Sequence, residues 1–338
     1  MSRAVTGVVA VGIALFACAA EAKRTTGSRI AFQRFHNGSS HIFTLLSDGT
    51  GMKRVSHATG RSENPAFSRD GAFIAYDRSF SIYVTGFDGT DRRLVVRNGF
   101  EPKWSPDGTK LMFTRYRVDD DVAIFSINPD GTRRRELTNG SINYMPAWSP
   151  DGSKIVFVRD RDLPQLWVMN GDGSKETRLT RAPGKEDYSP EWSPDGTTVL
   201  FTRHKSYGRR CLYRSDIFVI KANGNGATNL TKSCRRRELG GHWSPNGSKI
   251  VFARGSEHGV QIFVMNANGS GATRLTKGPA RNDLPEWSPD GTQIAFISKR
   301  DGNRELYVMN ADGTSEKRLT HSRGMEYQQT WQGLSMAT

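Results

Sequence analysis

The chain has 338 residues, with 48 Lys and Arg against 34 Asp and Glu and a formal net charge of +14. It is rich in Gly (35) and aromatic residues (17 Phe, 9 Tyr, 7 Trp), and no long stretch shows helical apolar periodicity. That balance excludes a helical bundle and favours many short strands joined by Gly-containing turns.

Residues 1–22 stand apart from the rest. Arg3 is followed by an apolar run from Val5 to Ala20 and by "AEA" ending at Ala22, the pattern of a secretory signal peptide cut after Ala22. The run is short for a membrane-spanning helix. Cys18 after "LFA" allows a lipoprotein reading, which the bulky Phe16 fits poorly. Cleavage leaves residues 23–338 with Cys211 and Cys234, an even count in an exported chain, where disulfides persist.

The first elements after the leader are three strand-like segments in residues 29–56, marked by Phe32, Phe43 and Val55. From there the chain repeats itself. "FSRDG" at Phe67 is followed by "WSPDG" at Trp104, Trp148, Trp192 and Trp287, "WSPNG" at Trp243, and a bare Trp331 in "YQQTW". Most steps are 44 residues, the period of a four-stranded propeller blade. Within a unit, the strand A aromatic precedes the strand B aromatic (Tyr76, Phe113, Phe157, Phe201, Phe252, Phe296) by 9 residues in every complete case. The strand C aromatic (Tyr83, Phe125, Trp167, Phe218, Phe263, Tyr307) precedes an apolar strand D residue by 12. Residues 29–56 supply B, C and D without an A, and residues 325–332 supply an A with nothing after it. The expectation is an all-β, seven-bladed propeller of four-stranded antiparallel blades, with strands A to D running from axis to rim, closed by pairing the N-terminal strands with the C-terminal one.

The units resemble the TolB-like β-propeller family, whose repeats carry a "P-x-W-S-P-D-G" core, an "N-x-D-G" turn and "R-L-T". Here these stand as "SPEWSPDGTTVLFTR" and "YVMNADGTSEKRLT". The resemblance covers nearly all of residues 23–338. It implies a propeller fold and, at one end of the channel, a place for peptide segments of partner proteins. TolB itself has six blades and a separate N-terminal domain with contacts in the Tol-Pal system; this chain enters strand B almost directly after its leader.

Loop lengths choose a face. The A–B and C–D turns keep constant length, whereas the B–C and D–A loops vary, as expected of binding loops on a rigid scaffold. On that face, just before four A strands, lie Asn143 and Tyr144, Asp187 and Tyr188, Asn282 and Asp283, and Glu326 and Tyr327. A mouth of Tyr with Asp, Glu and Asn suits a peptide or polar ligand; a hydrated mouth whose polar groups only satisfy loop backbone is the alternative. The longest B–C loop holds Cys211 and the adjoining D–A loop holds Cys234, so a disulfide is expected there. It would fasten a basic loop of Arg209, Arg210, Arg214, Lys232, Arg235, Arg236 and Arg237, attractive to an anionic glycan or lipid headgroup or an acidic protein, or else simply solvated.

The Asp-Gly turns look like part of a calcium loop, but they lack further ligands and read as turn chemistry, so neither metal nor cofactor is expected. The repeated Trp reads as packing between blades. No "G-x-S-x-G", "H-E-x-x-H", Walker loop or "C-x-x-C" occurs. The seven His are scattered, with only His242 in an A strand, so a His cluster such as that of the oligogalacturonate lyases is not expected. The reading is an exported, periplasmic or secreted, monomeric and non-catalytic scaffold for a protein or peptide partner in the cell envelope. Alternatives are a carbohydrate-active or hydrolytic propeller enzyme and a polyanion-binding surface protein. Specific nucleic-acid binding is not expected, because export and cations spread around the rim leave no dedicated groove.

Overall fold

A computed structural model of the chain describes residues 28–57, 59–118, 121–205, 214–233, 236–256 and 259–333. The leader and the segments carrying Arg209, Arg210, Cys211, Cys234 and Arg235 lie outside these residues. Every regular element among the described residues is a β-strand, 28 in all. They form five four-stranded sheets and one eight-stranded sheet, the latter being two four-stranded units joined by a parallel bridge between Ser215 and Arg237. Blades 2 to 7 follow chain order, with A strands at Ser62–Phe67, Phe100–Trp104, Ile142–Trp148, Lys185–Trp192, Arg237–Trp243 and Asn282–Trp287. Blade 1 takes its A strand, Met325–Trp331, from the C-terminal end and its B, C and D strands from Arg29–His36, Ser39–Leu46 and Lys53–Arg54.

Local chemistry explains why each unit folds this way. In the A–B turn of blade 3, Ser105 Oγ donates to Asp107 Oδ1 at 2.5 Å, and Thr109 N donates to the same oxygen at 3.0 Å. Lys110 N returns to Ser105 Oγ at 2.9 Å, and Gly108 takes φ +70°, where a side chain would be strained. The turn carboxylates are thus occupied as backbone acceptors; hydrogen bonds from Ser149 and Ser153 hold Asp151 down to about 2. The outer D strand is two residues long in six blades, and the Thr of "R-L-T" extends its ladder. Thr180 Oγ1, for instance, accepts from Leu166 N at 3.0 Å, and Thr320 Oγ1 from Leu306 N at 2.9 Å. Such short edges leave little unpaired backbone at the rim.

The apolar core lies between blades. Seven buried clusters join blades 1 and 2, 2 and 3, and so on around to 7 and 1. The cluster that closes the circle contains Ile30, Phe32 and Leu45 of blade 1 with Ile297, Leu306 and Val308 of blade 7, under Trp331. The repeated Trp packs between blades, and in four of six units it also donates inward to the preceding blade: Trp104 Nε1 to Ala66 O (3.1 Å), Trp192 Nε1 to Ala147 O (3.2 Å), Trp287 Nε1 to His242 O (3.2 Å) and Trp331 Nε1 to Glu286 O (3.2 Å). Blade 2 has Phe67 in place of Trp. There Gln332 Nε2 reaches Gly71 O at 2.9 Å, and Gln328 Oε1 accepts from Asn64 N at 3.2 Å.

Closure itself is backbone pairing. Strand A of blade 1 lies antiparallel to Arg29–His36, with Trp331 opposite Ile30 and Glu326 opposite Arg34. Removing residues 325–338 strips blade 1 of its inner strand and opens the cluster between blades 7 and 1. The shortened chain is expected to lose its cooperative thermal transition or to associate through the exposed edge in size-exclusion chromatography; a monomer with an unchanged melting curve would contradict closure.

Candidate recognition face and axial channel

Two residue columns meet between strands A and B. Two residues after most B aromatics stands an Arg, and five residues before the A aromatic stands an acid or amide in five blades. Arg203 donates from Nε and Nη2 to the two carboxylate oxygens of Asp187, at 2.6 and 2.8 Å. Arg254 Nε donates to both carboxylate oxygens of Glu238, at 2.9 and 3.1 Å, and Arg34 Nε donates to Glu326 at 2.9 Å. Arg159 Nε donates to Asn143 Oδ1 at 2.6 Å. In blade 7, where Ser298 occupies the column, Arg300 takes over and binds Asn282 Oδ1 at 3.1 Å. Each of these guanidinium groups also lies 4.5–4.7 Å from the centroid of its blade's C-strand ring. The result is a capped stack of acid or amide, Arg and aromatic at the end of the blade. Burial pushes the carboxyls of Glu238 and Glu326 up to about 7 even though Arg254 and Arg34 pull them back.

The eight residues proposed for the mouth therefore divide. Asn143, Asp187, Asn282 and Glu326 are buried and bound within the stacks. Asp283 is buried too, accepting from Arg304 at 3.0 Å and Arg281 at 2.5 Å. Tyr144, Tyr188 and Tyr327 are half-buried at the mouth. Tyr144 and Tyr188 come together beside Glu186, to which Tyr188 Oη donates at 3.0 Å, and His204 meets the Tyr188 ring edge-on at 5.0 Å. Tyr327 is separate, under the guanidinium of Arg304 at 4.6 Å. Of the basic loop, Arg214, Lys232, Arg236 and Arg237 are described, and the Ser215–Arg237 bridge sets the ends of its two loops side by side.

Three further features were not singled out in the sequence. Each A strand bulges, and the residue three before its aromatic is left-handed: Asn64, Glu101, Met145, Ser189, Gly240, Leu284 and Gln328, with φ from 39° to 55°. Only one of these is Gly, so the bulge imposes the conformation on residues that resist it. Deeper in the channel, one residue before the aromatic, stand Lys103, Glu191, His242 and Glu286. His242 Nδ1 lies 2.7 Å from Glu191 Oε2, and Glu191 Oε1 accepts from Trp243 N at 3.0 Å. Enclosure pulls the imidazole down, but Glu191, with Glu286 behind it, more than offsets this and lifts it to about 8. Enclosure pushes Glu286 up to about 7 against the pull of His242 and Lys103.

The third feature is an aromatic patch on the variable face. Phe80 is 60% exposed and Tyr116 57%, and the half-buried Phe100 meets both, with ring centroids 6.5 and 5.0 Å away. Phe80 sits in the tight B–C turn of blade 2, where Ser79 and Phe80 both have positive φ (47° and 58°). The matching turn of blade 1 uses Asn37-Gly38, the pair that tolerates such angles. A phenylalanine held left-handed with its ring in solvent is costly for folding. "RSFS" in place of "HNGS" was the signal available.

Two outcomes test this geometry. Asp187→Ala leaves Arg203 buried without its partner and is expected to destabilise the fold by about 3 kcal/mol in chemical denaturation, the cost of orphaning a buried charge; a loss under ~1 kcal/mol would make the stack incidental. His242 has a folded pKa raised above its ordinary 6.5, so its pairing with Glu191 stabilises fully below pH 6.5 and is lost as pH rises through about 8. The melting-temperature gap between wild type and Glu191→Gln should be widest at low pH and vanish above that window; a gap independent of pH would contradict the pairing.

Residues 77–238 and 213–335 match the model of the TolB beta propeller domain. A protein TolB homolog of Chlorobaculum tepidum is 31% identical over 120 residues, covering 34% of this chain and 27% of that protein. The chain thus aligns with only about a quarter of the length of such curated relatives. Among solved structures, TolB from Acinetobacter baumannii has a TM-score of 0.57 at 17% identity, covering 90% of this chain and 82% of that one. An oligogalacturonate lyase in complex with manganese has a TM-score of 0.70 at 16% identity, covering 84% and 86%. At these identities the structural likeness concerns the fold alone. With the repeat, the strand order and the family match in agreement, the chain belongs to the TolB beta propeller domain family.

Proposed function

We propose that this protein is an exported, non-catalytic scaffold whose B–C/D–A face binds a segment of a partner protein in the cell envelope. The observation that carries the reading is the exposed cluster of Phe80, Phe100 and Tyr116, kept at the expense of a strained turn. Rigid aromatic anchors with few rotatable bonds are what protein-binding hot spots use. Tyr144 and Tyr188 continue the same row, four residues before their A-strand aromatics as Phe100 is before Trp104. In sequence the patch is flanked by Arg78, Arg97, Arg115 and Arg117, the last paired with Glu136, so an acidic, aromatic-binding segment is the fitting partner. A relative named Tol-Pal system protein TolB, from Desulfosudis oleivorans, supports an envelope setting. Export rests on the leader at residues 1–22, and the Cys211–Cys234 disulfide would belong to the same compartment.

A catalytic reading has one specific support, the His242–Glu191 pair beside Glu286 in the channel, a set able to give and take protons near neutral pH. Hydrolysis or lyase activity lost in His242→Ala would favour it over the scaffold.

The scaffold is tested by capture from envelope extract. Phe80→Gly relieves the left-handed strain, and Tyr116→Ala removes the second anchor. Both are expected to weaken capture by roughly 30-fold, the effect of losing a hot-spot aromatic, while Phe80→Gly melts at or above the wild-type temperature. Tyr188→Ala and Tyr327→Ala are expected to weaken it less. Undiminished capture by all four would move the site off this face.

A further inference from the structure

The rim of blade 4 carries a pocket of about 460 Å³, between its B–C loop and the D–A loop leading to blade 5. Arg161, Arg178 and Arg181 line it together with Trp167 and the buried Arg159; Asp162 is the one acid in its wall and forms no ion pair with these arginines. The same place in blade 7 shows what this pocket lacks. There Arg318, eleven residues after the C aromatic, is held by Glu305 at 2.9 Å and by Asp301 at 3.1 Å. Arg178 is its counterpart in blade 4, but the positions of Glu305 and Asp301, two and six residues before the C aromatic, are Gln165 and Arg161. Two acids have become an amide and a cation. Gln165 is turned to backbone, donating to Pro164 O and Lys185 O and accepting from Ala182 N. Arg178 has only Thr180 O, at 2.8 Å. Among the described residues no carboxylate lies within ion-pair distance of Arg161, Arg178 or Arg181.

An independent observation comes from the pocket wall. In blades 5 and 6 the stacked Arg meets a carboxylate through two contacts, but Arg159 meets the amide Asn143 through Nε and uses Nη1 on Glu176 at 2.7 Å. Its Nη2 is buried with no hydrogen-bond partner, on a side chain 3% exposed. A buried guanidinium nitrogen without an acceptor is rare, and an oxyanion is the group that satisfies it best.

The geometry points to an oxyanion-binding pocket on blade 4, made by Arg159, Arg161, Arg178 and Arg181 beside Trp167, that takes a small organic anion with at least two acidic groups. Its volume suits a small ligand rather than a chain of polymer. Three guanidinium forks without a carboxylate partner suit phosphate and carboxylate ligands alike, as both accept paired N–H donors. The pocket opens on the same B–C/D–A side as the aromatic patch, but the inference does not rest on the partner-binding reading.

Calorimetric titration with tripolyphosphate and with citrate, at about 150 mM salt to screen diffuse attraction, tests it on the intact protein. Saturable binding of one molecule is expected from at least one probe, and the probe that binds tells whether the natural ligand carries phosphate or carboxylate. R178Q and R181Q should each weaken it about tenfold, while R274Q, the equivalent substitution on blade 6, leaves it unchanged. Q165E restores the acid that blade 7 has and should abolish binding; the two exposed substitutions decide the matter if that buried change impairs folding. Failure of both probes to bind, or equal weakening by R178Q and R274Q, would overturn the pocket.

Discussion

Everything in this fold depends on the antiparallel pairing of Met325–Trp331 with Arg29–His36. A propeller blade buries its two apolar faces against its neighbours, so a ring interrupted at any point exposes two of them together with an unpaired inner strand. Here the last interface is closed three ways: by strand pairing, by the cluster under Trp331, and by Trp331 Nε1 on Glu286 O. The chain ends that lie 292 residues apart are also joined by Arg34 and Glu326 within one capped stack. The strand ends that carry the B–C and D–A loops take their places from this complete circle.

The architecture was legible because it repeats. The aromatic ruler located every A, B and C strand, and the orphan B-C-D set at one end and orphan A strand at the other implied their pairing. The polar residues at the mouth were legible in position but not in role. Asn143, Asp187, Asn282 and Glu326 look like a ligand-binding rim when read as a column of their own. Read beside the Arg in "FVR", "FTR" and "FQR", Asn143, Asp187 and Glu326 become one half of a buried structural pair, and Asn282 pairs instead with Arg300. A single strand does not show what its neighbour supplies. The bulge that turns seven residues left-handed was hidden for the same kind of reason, since it arises from the A–B register and not from Gly.

Departures from the repeat are where charge, strain and exposure part from what the ring requires. Blades 2 and 3 have Ser62 and Gly99 where other blades place an acid or amide, and there the aromatic patch emerges. Blade 4 has Asn143, Arg161 and Gln165 where acids stand elsewhere, and there cations remain unmatched. Blades 5 to 7 place Glu191, His242 and Glu286 side by side in the channel, where most other units have small or neutral residues. The regular positions hold the ring together, and the irregular ones differ in charge, strain or exposure in ways that the ring itself does not require.

The closure is tested most directly by hydrogen exchange of the intact protein, read on peptides covering Met325–Trp331 and Arg29–His36. If the two strands share one sheet, their amides are as protected as those of Asn282–Trp287, and both segments exchange together in the same opening event. Exchange of Met325–Trp331 at the unprotected rate, with Arg29–His36 still protected, would show that the circle is open.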